Sequence, residues 1–150
     1  MAFLILFSVI ACKNNTNGLS KRDSDIMQKY LDEQVMQPYF DGKVFSSYKV
    51  FKKEGNYLYI WAYMQEFYKK EGKIETGSGW SVPMVIFFDE TPTEVRIKNL
   101  FTPKDGDMYT KGIHSHFPEE IQKQVIGFPE TQEVIELQNS CKERAEKFFK

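Results

Sequence analysis

Long apolar runs are almost missing from this chain. The first stretch of that kind, Phe3 to Ala11, has nine residues, whereas a helix needs about 20 to cross the hydrocarbon core of a bilayer. Net charge is missing as well: 20 basic and 21 acidic side chains leave −1. Nucleic-acid binders carry a clustered basic footprint, so nucleic acid is not expected as a partner. Histidine occurs only twice and cysteine only twice. No Gly-x-Ser-x-Gly nucleophile turn is present, and no phosphate-binding glycine pattern. Gly77-Ser78-Gly79 is the nearest approach, lacks the spacing, and reads as the end of a hairpin. No cofactor is expected.

What the chain does have begins at its start. Phe3 to Ala11 ends in Val9-Ile10-Ala11-Cys12 and turns at once into polar Lys13-Asn14-Asn15-Thr16-Asn17. An apolar core of 7–15 residues followed by small residues is the size and form of a signal peptide. A cysteine directly after it resembles a bacterial lipoprotein signal, with Cys12 as the lipidated residue. Residues 1–11 then form the signal, 12–22 a flexible tether and 23–150 one domain. The expected location is the extracytoplasmic face of the cell membrane. The alternative is a buried N-terminal strand over Phe3–Phe7. The basic n-region usual in secretory signals is lacking, as expected where the true start lies upstream of Met1. Asn14-Asn15-Thr16 matches the glycosylation pattern, which a bacterial signal makes a coincidence. With Cys12 acylated, Cys141 has no intramolecular partner. It falls on the apolar stripe of a helix, where a free cysteine packs as a small hydrophobe.

The length suits a single domain, large enough to be stable without staples. Thirteen Phe, eight Tyr and two Trp supply large buried area per residue. Met27, Tyr30, Leu31 and Val35 recur at helical spacing and predict a helix over 24–37. Asp25 and Gln28 resemble its capping pair, and Pro38 stops it. Strands are predicted over 44–52, 57–68, 80–88 and 95–101, with 53–56 a turn and 69–79 a long hairpin loop. In 57–68 both alternating faces are apolar, which predicts a central strand covered on both sides. Pro83 belongs at an edge or bulge. Val95, Ile97, Asn99 and Phe101 predict one face of the last strand. Pro103-Lys104-Asp105-Gly106 is a turn. A short helix is predicted over 107–113, another opening at Phe117-Pro118-Glu119-Glu120, and a last one over 130–149 with Val134, Leu137, Cys141, Ala145 and Phe148 on its apolar stripe.

Helix, four strands, helices is an α+β order: an N-terminal helix on a curved antiparallel meander, followed by C-terminal helices. The order is similar to that of cystatin-like and NTF2-like domains.

Tyr59-Ile60-Trp61-Ala62-Tyr63 running into Glu66-Phe67-Tyr68, then Gly77-Ser78-Gly79, Ser81-Val82-Pro83, Pro103-Lys104-Asp105-Gly106, Tyr109, Ile113 and Phe117-Pro118 form a pattern along most of the domain. On these residues the chain resembles a group of uncharacterised secreted or lipid-anchored domains of Gram-positive bacteria. The resemblance implies a shared fold and location and no reaction. His114 and His116 depart from it.

Four constellations are candidates for function. Tyr57, Tyr59, Trp61, Tyr63 and Phe67 share one face of the second strand and either form core or line a pocket. Glu66 lies on the opposite face beside Ile60 and Met64, where an apolar environment is expected to raise its pKa and suit it to acid–base work. His114 and His116, if extended, point the same way, and Glu119 or Glu120 could complete a metal site; a solvated loop is the expected alternative. The acid pairs Asp89-Glu90 and Glu119-Glu120 read as solvated turns. The leading expectation is a monomeric, non-enzymatic binding domain with a protein or small-molecule ligand, anchored to the membrane through Cys12. The alternatives are an NTF2-like enzyme using Glu66 or the histidines, and an inhibitor or immunity-type module.

Overall fold

The computed structural model describes residues 18–91 and 93–150. The signal, Cys12 and most of the tether therefore lie outside the described residues.

Helix α1 spans Lys21–Tyr30 and widens into one π-helical turn, Leu31–Val35. Its N-cap is Ser20, whose side chain accepts from the Asp23 N–H at 3.1 Å. The helix thus starts earlier than its apolar periodicity predicts, and Lys21 and Arg22 belong to it rather than to the tether. The predicted capping pair has other work. Asp25 pairs with Lys21 one turn back, and the Gln28 amide donates to Ser46. Met36 is already extended, one residue before Gln37, the position that Pro38 bars from the helical region.

Four strands follow: β1 Lys43–Glu54, β2 Tyr57–Lys70, β3 Lys73–Glu90 and β4 Val95–Phe101. They pair antiparallel in the order β1-β2-β3-β4, a meander. The predicted loop over 69–79 is instead strand. β2 and β3 turn through Glu71 (φ 51°) and Gly72 (φ 77°) alone. Two successive residues with positive φ make the tight turn whose twist suits a two-residue hairpin. The residues on either side of it are solvent-exposed on both faces, so no hydrophobic alternation marked them as strand.

β2 is central, and both of its faces are covered. Leu58, Ile60, Ala62 and Met64 pack with Tyr48, Val50, Met84 and Ile86 under Met27, Leu31 and Met36. On the opposite face lie three helices, α2 (Met108–His116), α3 (Glu119–Gly127) and α4 (Gln132–Phe149). Tyr59, Trp61 and Val85 pack there against Ile113, Phe117, Ile121, Val125, Phe128 and Val134. Farther along, Phe45 and Phe67 meet Cys141 and Ala145. Phe148, placed by its spacing on the same stripe, is exposed.

Irregularities in the ladders re-aim side chains. Pro83 pairs with Trp61 of β2, while the β3–β4 ladder stops at Val85–Phe101. Pro83 therefore sits where β3 has become an edge, as expected. In β4, register shifts between Asn99 and Ile97. Val95, Ile97 and Leu100 consequently pack toward the α1 side, and Phe101 toward α2 and α3. The single face expected for Val95, Ile97, Asn99 and Phe101 is split by that one extra residue.

Candidate functional site

A groove of about 340 Å³ opens between the outer half of the sheet and the end of α2. Tyr57 and Tyr59 of β2, Val85 and Phe87 of β3, and Asn99, Leu100 and Phe101 of β4 line it, together with Ser115 and His116. The volume lies at the small end of the range for small-molecule sites, and the lining has their usual character of aromatic walls with a few polar groups. The shift in β4 helps to make it, since it turns Asn99 and Phe101 to the face that α2 only partly covers.

The walls are ordered by ring contacts. His116 stacks on Phe101 with centroids 3.6 Å apart and planes 12° from parallel. Tyr57 and Phe87 meet at 5.1 Å, and Tyr57 remains 47% exposed. The His116 Nδ1 lies 3.1 Å from the Gly112 carbonyl. A carbonyl only accepts, so Nδ1 is the protonated nitrogen. The Nε2 nitrogen is then the one left for a ligand: an acceptor on the neutral ring, a donor on the charged one.

Of the five aromatics predicted as a surface, Tyr57 and Tyr59 line this groove. Trp61 and Phe67 are core, and the Trp61 indole N–H donates to Ser81 Oγ at 2.9 Å. Tyr63 is half-buried and its hydroxyl donates to Gln65. Phe87 and Phe101 are site residues that the sequence does not single out: Phe87 enters by its regular pairing opposite Tyr57, and Phe101 only through the ladder shift in β4.

Glu66 corrects the expectation of a raised pKa. It is fully buried, and burial pushes its pKa up. Four backbone N–H groups together outweigh that and hold the carboxyl below its ordinary value. The donors are Tyr39 (2.9 Å), Phe40 (2.7 Å), Gly42 (3.0 Å) and Ser78 (3.1 Å). A carboxylate so satisfied is a structural anion. It pins the 39–42 loop to the point where Gly77 and Ser78 of β3 oppose the single residue Glu66 of β2.

The histidines are helical rather than extended. Two residues apart on α2, they point to different sides. His114 Nδ1 lies 2.6 Å from the side-chain Oε1 of Gln122, while His116 stacks on Phe101. They form no common site, and among the described residues no cluster of three His, Cys, Asp or Glu could hold a metal ion. Of the acid pairs, Glu120 is bound by Lys52, and Asp89 and Glu90 pair with Lys98 and Lys53. No helix among the described residues is long and apolar enough to cross a membrane.

No known family, curated protein or solved structure matches this chain.

Proposed function

We propose that this chain is an extracytoplasmic binding domain, held to a bacterial cell membrane by a lipid on Cys12, whose ligand site is the groove at Tyr57, Phe87, Phe101 and His116. The groove is the observation that carries the binding role. Flat aromatic walls favour a small planar apolar group. The His116 Nε2 offers one directional contact to a polar atom on it. Glu66, the residue an enzyme of this shape would be expected to use, has both oxygens occupied by main-chain donors, which counts against it as an acid or base. The anchor rests on the sequence: a nine-residue apolar core that ends on cysteine, and the resemblance to lipid-anchored domains. Stable anchoring needs more than one acyl chain, which a diacylated or triacylated Cys12 provides.

Two measurements test this. Mass spectrometry of the protein from the membrane fraction is expected to find Cys12 as the acylated first residue, with Cys12→Ala releasing the chain from that fraction. Unmodified Cys12, or a retained variant, removes the anchor. For the groove, NMR titration with a library of small aromatic compounds is expected to shift Tyr57, Phe87, Asn99, Phe101 and His116 together, and Phe101→Ala to abolish those shifts. Shifts clustering elsewhere would move the site.

A further inference from the structure

The sheet has two edges, and they are treated differently. At β1 the edge is covered. The Ser46 N–H donates to Asp32 Oδ1 at 2.7 Å, and the Ser46 carbonyl accepts from Gln28 Nε2 at 2.9 Å and Arg144 Nη1 at 2.7 Å. Side chains from both helix layers thus occupy the main-chain groups that a foreign strand would use. At the other edge β4 is short. Its ladder with β3 ends at Val85, and among the described residues Lys73 to Met84 has a neighbour only in β2. Between them, among the described residues, only Ser78 N–H and the Gly77 and Ser78 carbonyls are taken by side chains, those of Glu66 and Gln65. An unpaired strand edge is a template for another strand.

This edge is also marked for recognition. Trp80, 48% exposed, stands in its middle, and Ile74 is exposed near its end. At the hairpin Lys70 lies directly opposite Lys73, with Lys69 opposite Ile74. Like charges in cross-strand register repel, and among the described residues no carboxylate pairs with any of the three lysines. An acidic group laid beside them relieves that repulsion.

We propose that the β3 edge from Ile74 to Pro83 is the docking site for an extended segment of a partner protein, which adds as a further strand and sets an acidic residue beside Lys70 and Lys73. Main-chain hydrogen bonds supply affinity in such strand addition, and side chains at alternate positions supply specificity. Here Trp80 supplies an apolar contact and the lysines the direction. Lys73 and Pro83 bracket the stretch, the residue types that discourage indiscriminate pairing. A second copy of this chain related by a two-fold axis at the middle of the stretch would set the two bulges side by side at the centre of the new ladder and interrupt it there. The edge is separate from the groove, and the inference stands independently of it and of the lipid.

The test pans the purified full chain against a displayed library of random peptides of about ten residues, the upper length of ordinary strands. Enriched peptides are expected to alternate apolar and polar residues and to end in Asp or Glu. Bound, they should slow amide exchange across Trp80–Val82. The Lys70→Glu, Lys73→Glu double variant is expected to lose about tenfold in affinity for them and to recover it for versions ending in Lys. Trp80→Ala, at a half-exposed position, should weaken binding without altering the melting temperature. Four results overturn the proposal: no enrichment; peptides that protect another element; edge protection in the free chain that vanishes on dilution, meaning a second copy; and edge protection in the free chain that survives dilution, meaning residues 1–17 cover it.

Discussion

Arg144 of α4 reaches past the edge of β1 to Asp32 in the π-helical turn after α1, with Nη2 2.6 Å from Oδ2. The two helices lie on opposite faces of the sheet, so this pair closes the layers together at one side. Asp32 also accepts from the Ser46 N–H and hydroxyl, and Ser46 is fully buried. Removing Asp32 therefore costs more than removing Arg144. Asp32→Ala orphans a buried N–H and is expected to destabilise by about 3–4 kcal/mol. Arg144→Met keeps the apolar stem and leaves the anion with its other donors, at about 2 kcal/mol. Urea unfolding of the two variants should rank them in that order, and equal losses would mean that the ion pair rather than the covered edge carries the stability.

Glu66 gives a pH prediction. Its pKa is lowered in the folded chain from the ordinary 4.5. A depressed folded pKa contributes stability that is complete above the unfolded value and is lost as pH falls through the folded one. Stability is thus expected to hold down to roughly pH 5 and to decline below it. Glu66→Gln offers an amide where four N–H donors converge, and is expected to cost about 3 kcal/mol at neutral pH while flattening the acid limb. Thermal melts of both proteins from neutral to acid pH check this. An acid limb unchanged in the variant would assign it to other carboxylates.

Much of the fold is legible in the chain because burial writes a period into it. The alternation in 57–64 is apolar on both faces, and β2 is covered on both. Val134, Cys141 and Ala145 recur at helical spacing, and all three are buried. What is not legible depends on partners distant in sequence or on single inserted residues. Glu66 draws donors from residues 24, 26 and 27 positions away, so its apolar neighbours along the strand misrepresent its surroundings. The ribbon at 69–79 is exposed, and exposure erases the pattern by which a strand is recognised. The groove depends on one shift in β4, which alternation alone cannot reveal.

Gly77 shows how closely the loop is fitted to its anchor. A Cβ there would lie 2.4 Å from Glu66 Oε2 and 2.8 Å from the Phe40 ring. Neither gives easily, since the carboxylate is fixed by its four donors. Gly77→Ala is expected to destabilise by about 2–3 kcal/mol and to detach the 39–42 loop. Faster amide exchange at Tyr39, Phe40 and Gly42, with exchange in α4 unchanged, is the measurement. Uniformly faster exchange would mean that the substitution weakens the whole domain rather than the loop.

Cys141 is the last case, and it separates packing from reactivity. The residue is fully buried, and its Sγ lies 3.4 Å from Ser47 Oγ and 3.7 Å from the Tyr63 carbonyl. Burial pushes the thiol up to about 12. The thiolate is the reactive form, so at pH 8 the folded protein presents almost none of it, and the surrounding side chains bar a reagent as well. A thiol titration with a disulfide reagent is expected to leave Cys141 unmodified in the folded protein and to modify it fully in denaturant. The labelling rate should follow the population of unfolded molecules, so Glu66→Gln, on the opposite face of the sheet from the sulfur, should raise it. Cys141→Ala removes one buried sulfur and is expected to cost about 1 kcal/mol, with no loss of ligand shifts in the groove. Rapid labelling of the folded protein at pH 8 would instead show that α4 opens locally over β1 and β2, and would make Cys141 a reporter of that motion.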